Sequence, residues 1–161
     1  MKHSKASIIV SVLLACALNL TLAADSVSDF IRLTPAQIPF KNPSGFEQAV
    51  LFGDPTRPGL YLVRVRFPPG IHSNPHYHSQ DRHITVIKGV WYMGTGEKAD
   101  ITKAVPLKTG SYAFHPARGV HWDGAGPEET IVQIMGMGPV ETVQIDPALP
   151  PIGAWTPAKN Q

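Results

Sequence analysis

Cysteine occurs once in the 161 residues, at Cys16, and charged residues make up only 16% of the chain. The cysteine stands in an N-terminal apolar run, Ile8 to Leu22, that follows Lys2 and Lys5 and ends at Thr21-Leu22-Ala23-Ala24. A basic start, a short apolar stretch and small residues behind it are the pattern of a secretory signal peptide, here residues 1–23. The run is short for a spanning helix, which weakens the alternative of an uncleaved anchor. Lipidation at Cys16 is a further alternative, from the likeness of Leu13-Leu14-Ala15-Cys16 to a lipobox. Leu14 fits that pattern poorly, and the apolar run continues past the cysteine. The expectation is an exported protein, periplasmic or secreted, with no stable membrane span after cleavage.

Removal of residues 1–23 leaves no cysteine. That excludes disulfides and thiolate metal ligands, so a metal has to be held by His, Asp, Glu or backbone groups. Net charge is also missing. Residues 1–23 hold two lysines and no acid, so the 14 basic and 12 acidic residues of the whole chain fall to twelve of each. A neutral chain with no basic patch offers nothing to nucleic acid. Long helical periodicity is absent as well, while Pro 16 and Gly 14 supply frequent turns. Apolar content of 43% argues against disorder. The fold class this implies is all-β.

Residues 24–58 read as an irregular segment, punctuated by Pro35, Pro39, Pro43, Pro55 and Pro58, with edge strands at Ile31–Thr34 and Gln48–Phe52. In Leu60–Phe67 the apolar Val63, Val65 and Phe67 alternate with Arg64 and Arg66, which predicts a strand with one buried face. Further strands are expected at His83–Lys88, Val90–Met93, Ala104–Leu107, Ser111–His115, Thr130–Met135 and Val140–Ile145, with a turn at Gly94-Thr95-Gly96. Many short strands between turn signals suggest a closed barrel or double sheet over 59–148, followed by a tail at 149–161.

Past residue 23 there are six histidines, His72, His76, His78, His83, His115 and His121, all within fifty residues. In an extended segment His76 and His78 point to one face. Two imidazoles then converge as a metal site needs. Around them stand Gly70, His76-Tyr77-His78, Arg82 or His83, and Gly89, and further on Gly110, Pro116, Gly119 and His121. These two groups resemble the paired motifs of the cupin superfamily, although Gly119 sits one place later than usual.

The resemblance implies a conical double-sheet β-barrel of the jelly-roll type. It implies one divalent metal held by His76, His78 and His121, with a glutamate as fourth ligand. That glutamate is missing: Arg82 and His83 stand where it is expected. An arginine stays protonated and cannot ligate a cation. Either His83 supplies a fourth imidazole or the site has three histidines and water. Adjacent strand residues face opposite ways, so the reading takes His83 inward as a ligand. Its alternative turns Arg82 inward, as a contact for an anionic substrate. His115 reads as structural, His72 as a rim residue, and Asp81 and Asp123 as turn residues able to accept from ligand N–H groups. Tyr77, Trp91, Phe114, Trp122 and Met135 are expected to line or close the barrel.

An imidazole set suits Zn, Cu, Ni or Fe better than Mg or Ca, and in an exported protein the affinity order favours copper or zinc over iron or Mn unless metal is loaded before export. The expected function is a mononuclear metalloenzyme of the dioxygenase, isomerase or lyase class acting on a small molecule. The alternatives are a non-catalytic barrel that binds metal or a small ligand, and a barrel its metal only stabilises. Pairing into a homodimer through edge strands is a further expectation from the resemblance.

Overall fold

The computed structural model of the chain describes residues 30–42 and 45–155. The signal-peptide reading over 1–23, Cys16 included, lies outside them, as do residues 156–161 of the expected tail. Twelve strands are described: β1 (Glu47–Phe52), β2 (Gly59–Phe67), β3 (Ile71–Ser73), β4 (His76–His78), β5 (Arg82–Lys88), β6 (Val90–Thr95), β7 (Val105–Lys108), β8 (Tyr112–His115), β9 (His121–Ala125), β10 (Thr130–Gly138), β11 (Thr142–Gln144) and β12 (Ile152–Ala154). Among the described residues two short 3-10 turns, Pro35–Gln37 and Ile101–Lys103, accompany them. Among the described residues no helix is long and apolar enough to cross a membrane.

Every strand pairing is antiparallel, and the strands form the two sheets expected of the jelly-roll class. The first sheet runs β1-β2-β10-β5-β8. The second runs β11-β4-β9-β3-β12, with β6 also on β9 and β7 on β6. Strands β3 and β4 are two pieces of one path, broken at Asn74-Pro75, and both pair with β9, at Gly124 and His121 respectively. The inner face of the first sheet is the apolar set that strand alternation selects: Tyr61, Val63, Val65 and Phe67 on β2, Ile84 and Val86 on β5, Val132 and Ile134 on β10. Trp91 from β6 joins them from the second sheet.

Several expected boundaries shift for packing reasons. No strand forms at Ile31–Thr34, where Thr34 caps the turn that begins at Pro35. Gly94 belongs to β6 rather than a turn, because the Trp122 indole lies where its Cβ would project. Strand β10 continues past Met135 to Gly138, and a Cβ at Gly136 would come within 2.7 Å of the Tyr61 hydroxyl. The expected tail is partly structural, since Pro150-Pro151 is followed by β12 pairing with β3.

The motif glycines Gly70, Gly89 and Gly110 have φ of 74°, 78° and 89°, a region open to glycine at little cost. The displaced glycine of the second motif has a counterpart in the backbone. Arg118, one residue before Gly119, takes the left-handed conformation itself, at φ 64°. Its N–H donates to the His78 carbonyl at 2.8 Å, tying this turn to β4.

Candidate metal centre

Strand β4 sends His76 and His78 into the space between the sheets and Tyr77 the other way. His121 opens β9 as the register partner of His76, so the three imidazoles meet without any long-range adjustment. The Nδ1–H of His76 donates to the Asn74 carbonyl at 2.8 Å, and that of His121 to the Gly119 carbonyl at 2.8 Å. A carbonyl only accepts, so each bond places the ring proton on Nδ1 and leaves Nε2 with a free lone pair. His78 Nδ1 lies 3.1 Å from the Thr142 hydroxyl on β11. The Nε2 atoms of His76 and His78 are 3.1 Å apart. Burial holds both of these rings below the usual histidine range and His121 down to about 4. All three are therefore neutral near pH 7, the form that ligates a metal.

The expected fourth imidazole is elsewhere. His83 lies on the outer face of β5, its Nδ1 2.8 Å from the Tyr112 hydroxyl and its ring 5.3 Å from that of Phe114. The cause is strand alternation. Ile84 and Val86 belong to the core, Arg82 shares their face, and the pairing with β8 is continuous from Arg82↔His115 to Thr85↔Tyr112 with no bulge to bring His83 inward. Phe114 and Met135 flank His83 in register and are likewise on the outside, not in the lining. Arg82 is the residue that enters the barrel. Its guanidinium Nη1 contacts His78 Nε2, and burial pulls its pKa down against the opposing pull of Tyr61 and Asp123.

Two neighbours stand closer to the cluster than expected, His115, which read as structural, and Asp123, which read as a turn residue able to accept from ligand N–H groups. His115, the register partner of Arg82, is 2% exposed, with its ring 3.8 Å from His121 and stacked on Trp91 at 5.6 Å. Neither of its nitrogens has a hydrogen-bond partner among the described residues, and burial holds it near 2. Asp123 is two residues beyond His121 on the same face of β9, with Oδ2 3.7 Å from His121 Nε2. The i, i+2 spacing of His121 and Asp123 was the available sequence signal. His72 stands apart from the three-histidine group, stacked on Trp155 at 4.0 Å. Asp81 accepts from the Ala117 N–H at 2.7 Å and braces the loops beside the site.

A cavity of about 470 Å³ opens onto the cluster, lined by Tyr61, His76, His78, Arg82, Trp91 and Asp123 among others. The donor set fits a metal ion. The ligand atoms of His76, His78 and His121 all lie within 4.8 Å of one another, as do those of His115, His121 and Asp123. Among the described residues the Nε2 of His121 has no hydrogen-bond partner, and that of His76 meets only the Nε2 of His78. Buried lone pairs gathered in this way repel one another unless a cation lies among them.

The family profile of the ChrR Cupin-like domain matches residues 31–141. No curated protein matches the chain. Among solved structures, the polyketide cyclase RemF from Streptomyces resistomycificus is similar with a TM-score of 0.64 at 14% identity, over 76% of this chain and 90% of its own. The DMSP lyase DddQ from Ruegeria pomeroyi DSS-3 has a TM-score of 0.56 at 18% identity, over 73% of this chain and 61% of its own. A protein of unknown function with a cupin-like fold from Ralstonia eutropha JMP134 has a TM-score of 0.56 at 24% identity, over 71% and 77%. These likenesses carry the fold, and the chemistry has to come from the residues of the cluster.

Proposed function

The chain belongs to the ChrR cupin-like domain family, and from that premise we propose that it is an exported, mononuclear metal-dependent enzyme that acts on a small anionic molecule. One observation carries the reading: the ligand atoms of three buried imidazoles gather within 4.8 Å of one another beside a buried guanidinium in a cavity. His76, His78 and His121 hold the ion. When bound, the ion supplies Lewis-acid polarisation of a substrate oxygen and open coordination positions. The Asn74 and Gly119 carbonyls keep two of the rings oriented, as outer partners of metal ligands do. Arg82 provides a fixed positive charge and a planar set of donors that matches a carboxylate. Val63, Val65, Val132, Ile134 and Trp91 form the apolar wall that excludes water and strengthens these interactions. The isomerase, lyase and dioxygenase classes all fit this equipment, with Zn, Cu, Ni, Fe or Mn as the ion. Export rests on the basic and apolar pattern of residues 1–23.

The contact between Arg82 and His78 Nε2 favours a second reading, a non-catalytic binder in which the guanidinium and the ion share the cluster. Metal analysis of the purified protein, followed by turnover and oxygen uptake with a panel of small carboxylates, separates the two. The enzyme reading expects about one ion per chain and turnover that Arg82→Gln impairs chiefly through KM. Saturable carboxylate binding to the loaded protein without turnover supports the binder. Metal content unchanged in the His76→Ala/His78→Ala double variant sinks the site itself.

A further inference from the structure

Arg82 leaves the centre short of an anion. The motif that this chain resembles places a glutamate on β5. Here β5 contributes a guanidinium, and a divalent ion beside it meets like charge instead of a counter-charge. Asp123 is the buried carboxylate among the described residues, at 6% exposure. It leaves β9 on the same face as His121, with Oδ2 3.7 Å from His121 Nε2, and it lines the cavity that His76, His78 and Arg82 share. Its backbone is fixed from both sides. The Asp123 N–H donates to the Ser73 hydroxyl at 3.0 Å, and that hydroxyl lies 3.2 Å from the Asp123 carbonyl. The side chain itself accepts no hydrogen bond among the described residues; His121 Nε2 is 3.7 Å away, and the charge of Asp123 also acts on Arg82 and His76. A buried carboxylate without donors is costly unless a cation compensates it. Beside this carboxylate, His115 adds two buried nitrogens that also lack partners among the described residues, its ligand atom within 4.8 Å of those of His121 and Asp123.

We propose that Asp123 is the carboxylate ligand of this centre, standing on β9 in place of the glutamate that the resembled motif carries on β5. The anion has moved to the opposite sheet, and its former position holds a cation free to pair with the substrate. The inference rests on the proposed metal site, and its test separates the two. The full chain is stripped with chelator and titrated with Co(II), reading affinity and the visible ligand-field bands. Asp123→Asn, nearly isosteric, is expected to weaken Co(II) binding at least as much as loss of an outer partner does, ~10–100-fold, and to shift the bands. Arg82→Glu added to Asp123→Asn returns a carboxylate to β5 and is expected to recover the affinity. Circular dichroism of each stripped variant checks that it folds. Wild-type affinity and bands in Asp123→Asn overturn the proposal. So does weaker binding with unchanged bands, which makes Asp123 a distant counter-charge, or a folded double variant that recovers nothing. Absence of Co(II) uptake by the wild-type chain overturns the metal site as well, whereas uptake lost in His76→Ala and kept in Asp123→Asn leaves that site standing.

Discussion

Arg118 takes a conformation that costs an L-residue about 1–2 kcal/mol. The strain is held in place because the Arg118 N–H donates to the carbonyl of His78, so the turn before His121 is fastened to the strand that bears the two other imidazoles of the cluster. Arg118→Gly is expected to raise stability by about 1 kcal/mol, seen as a higher urea midpoint at unchanged slope. A lower midpoint would mean that the arginine side chain compensates its own backbone. Individual residues also explain how the site could be read and where it was misread. His76, His78 and His121 were legible because i, i+2 spacing and turn glycines are local properties. Arg82 and His83 were ambiguous by spacing alone, yet the apolar Ile84 and Val86 fix which face is inner, and Arg82 shares their parity. Asp123 was partly legible from its i, i+2 spacing to His121, whereas His115 was legible only once strand pairing placed it, because nothing local marks a histidine before a proline as part of a cluster.

At the scale of elements, β9 organises the site. It pairs with β4 through His121, with β3 through Gly124 and with β6 along its length, and all five of its residues are buried. Such crowding requires a residue without a side chain where β3 approaches. A Cβ at Gly124 would stand 2.5 Å from His72 Cα, which is backbone and cannot turn aside. Gly124→Ala should therefore cost about 1–3 kcal/mol in chemical denaturation. A smaller loss would show that β3 is free to slide on β9. The longer strands β2 and β10 were visible in the sequence because their apolar residues alternate or are β-branched. The three-residue strands β3 and β12 were missed, while β11 lay inside the expected strand Val140–Ile145. Each is too short to show a period and exists because a neighbouring edge is there to receive it.

For the molecule as a whole, the buried imidazoles make metal-free stability depend on acid. His76, His78, His115 and His121 are all held below their usual range by burial, His121 to about 4 and His115 to about 2. Unfolded histidine titrates near ~6.5, so below that pH the unfolded chain takes up protons that the folded chain refuses. Stability is full above ~6.5 and declines as pH falls toward 4, by up to ~1.4 kcal/mol per pH unit for each group that stays neutral. Urea midpoints measured with chelator from pH 8 to pH 4 should fall continuously. A flat profile would place these rings in water.

The β12 segment has a consequence for how copies of the chain behave toward one another. It covers the outer edge of β3, the Trp155 N–H donates to the Gly70 carbonyl, and the Trp155 indole N–H donates to the Ala125 carbonyl at 2.7 Å. A bare strand edge is a template for pairing with another chain. Trimming the protein after residue 149 would uncover such a template beside the site and remove the Trp155 ring stacked on His72, while leaving His76, His78 and His121 in place. The trimmed protein is expected to self-associate, with light scattering that rises with concentration, whereas the untrimmed chain scatters as a species of constant size. On this view the last strand acts as a guard against aggregation, and a protease that reached it would change solubility before it changed metal content.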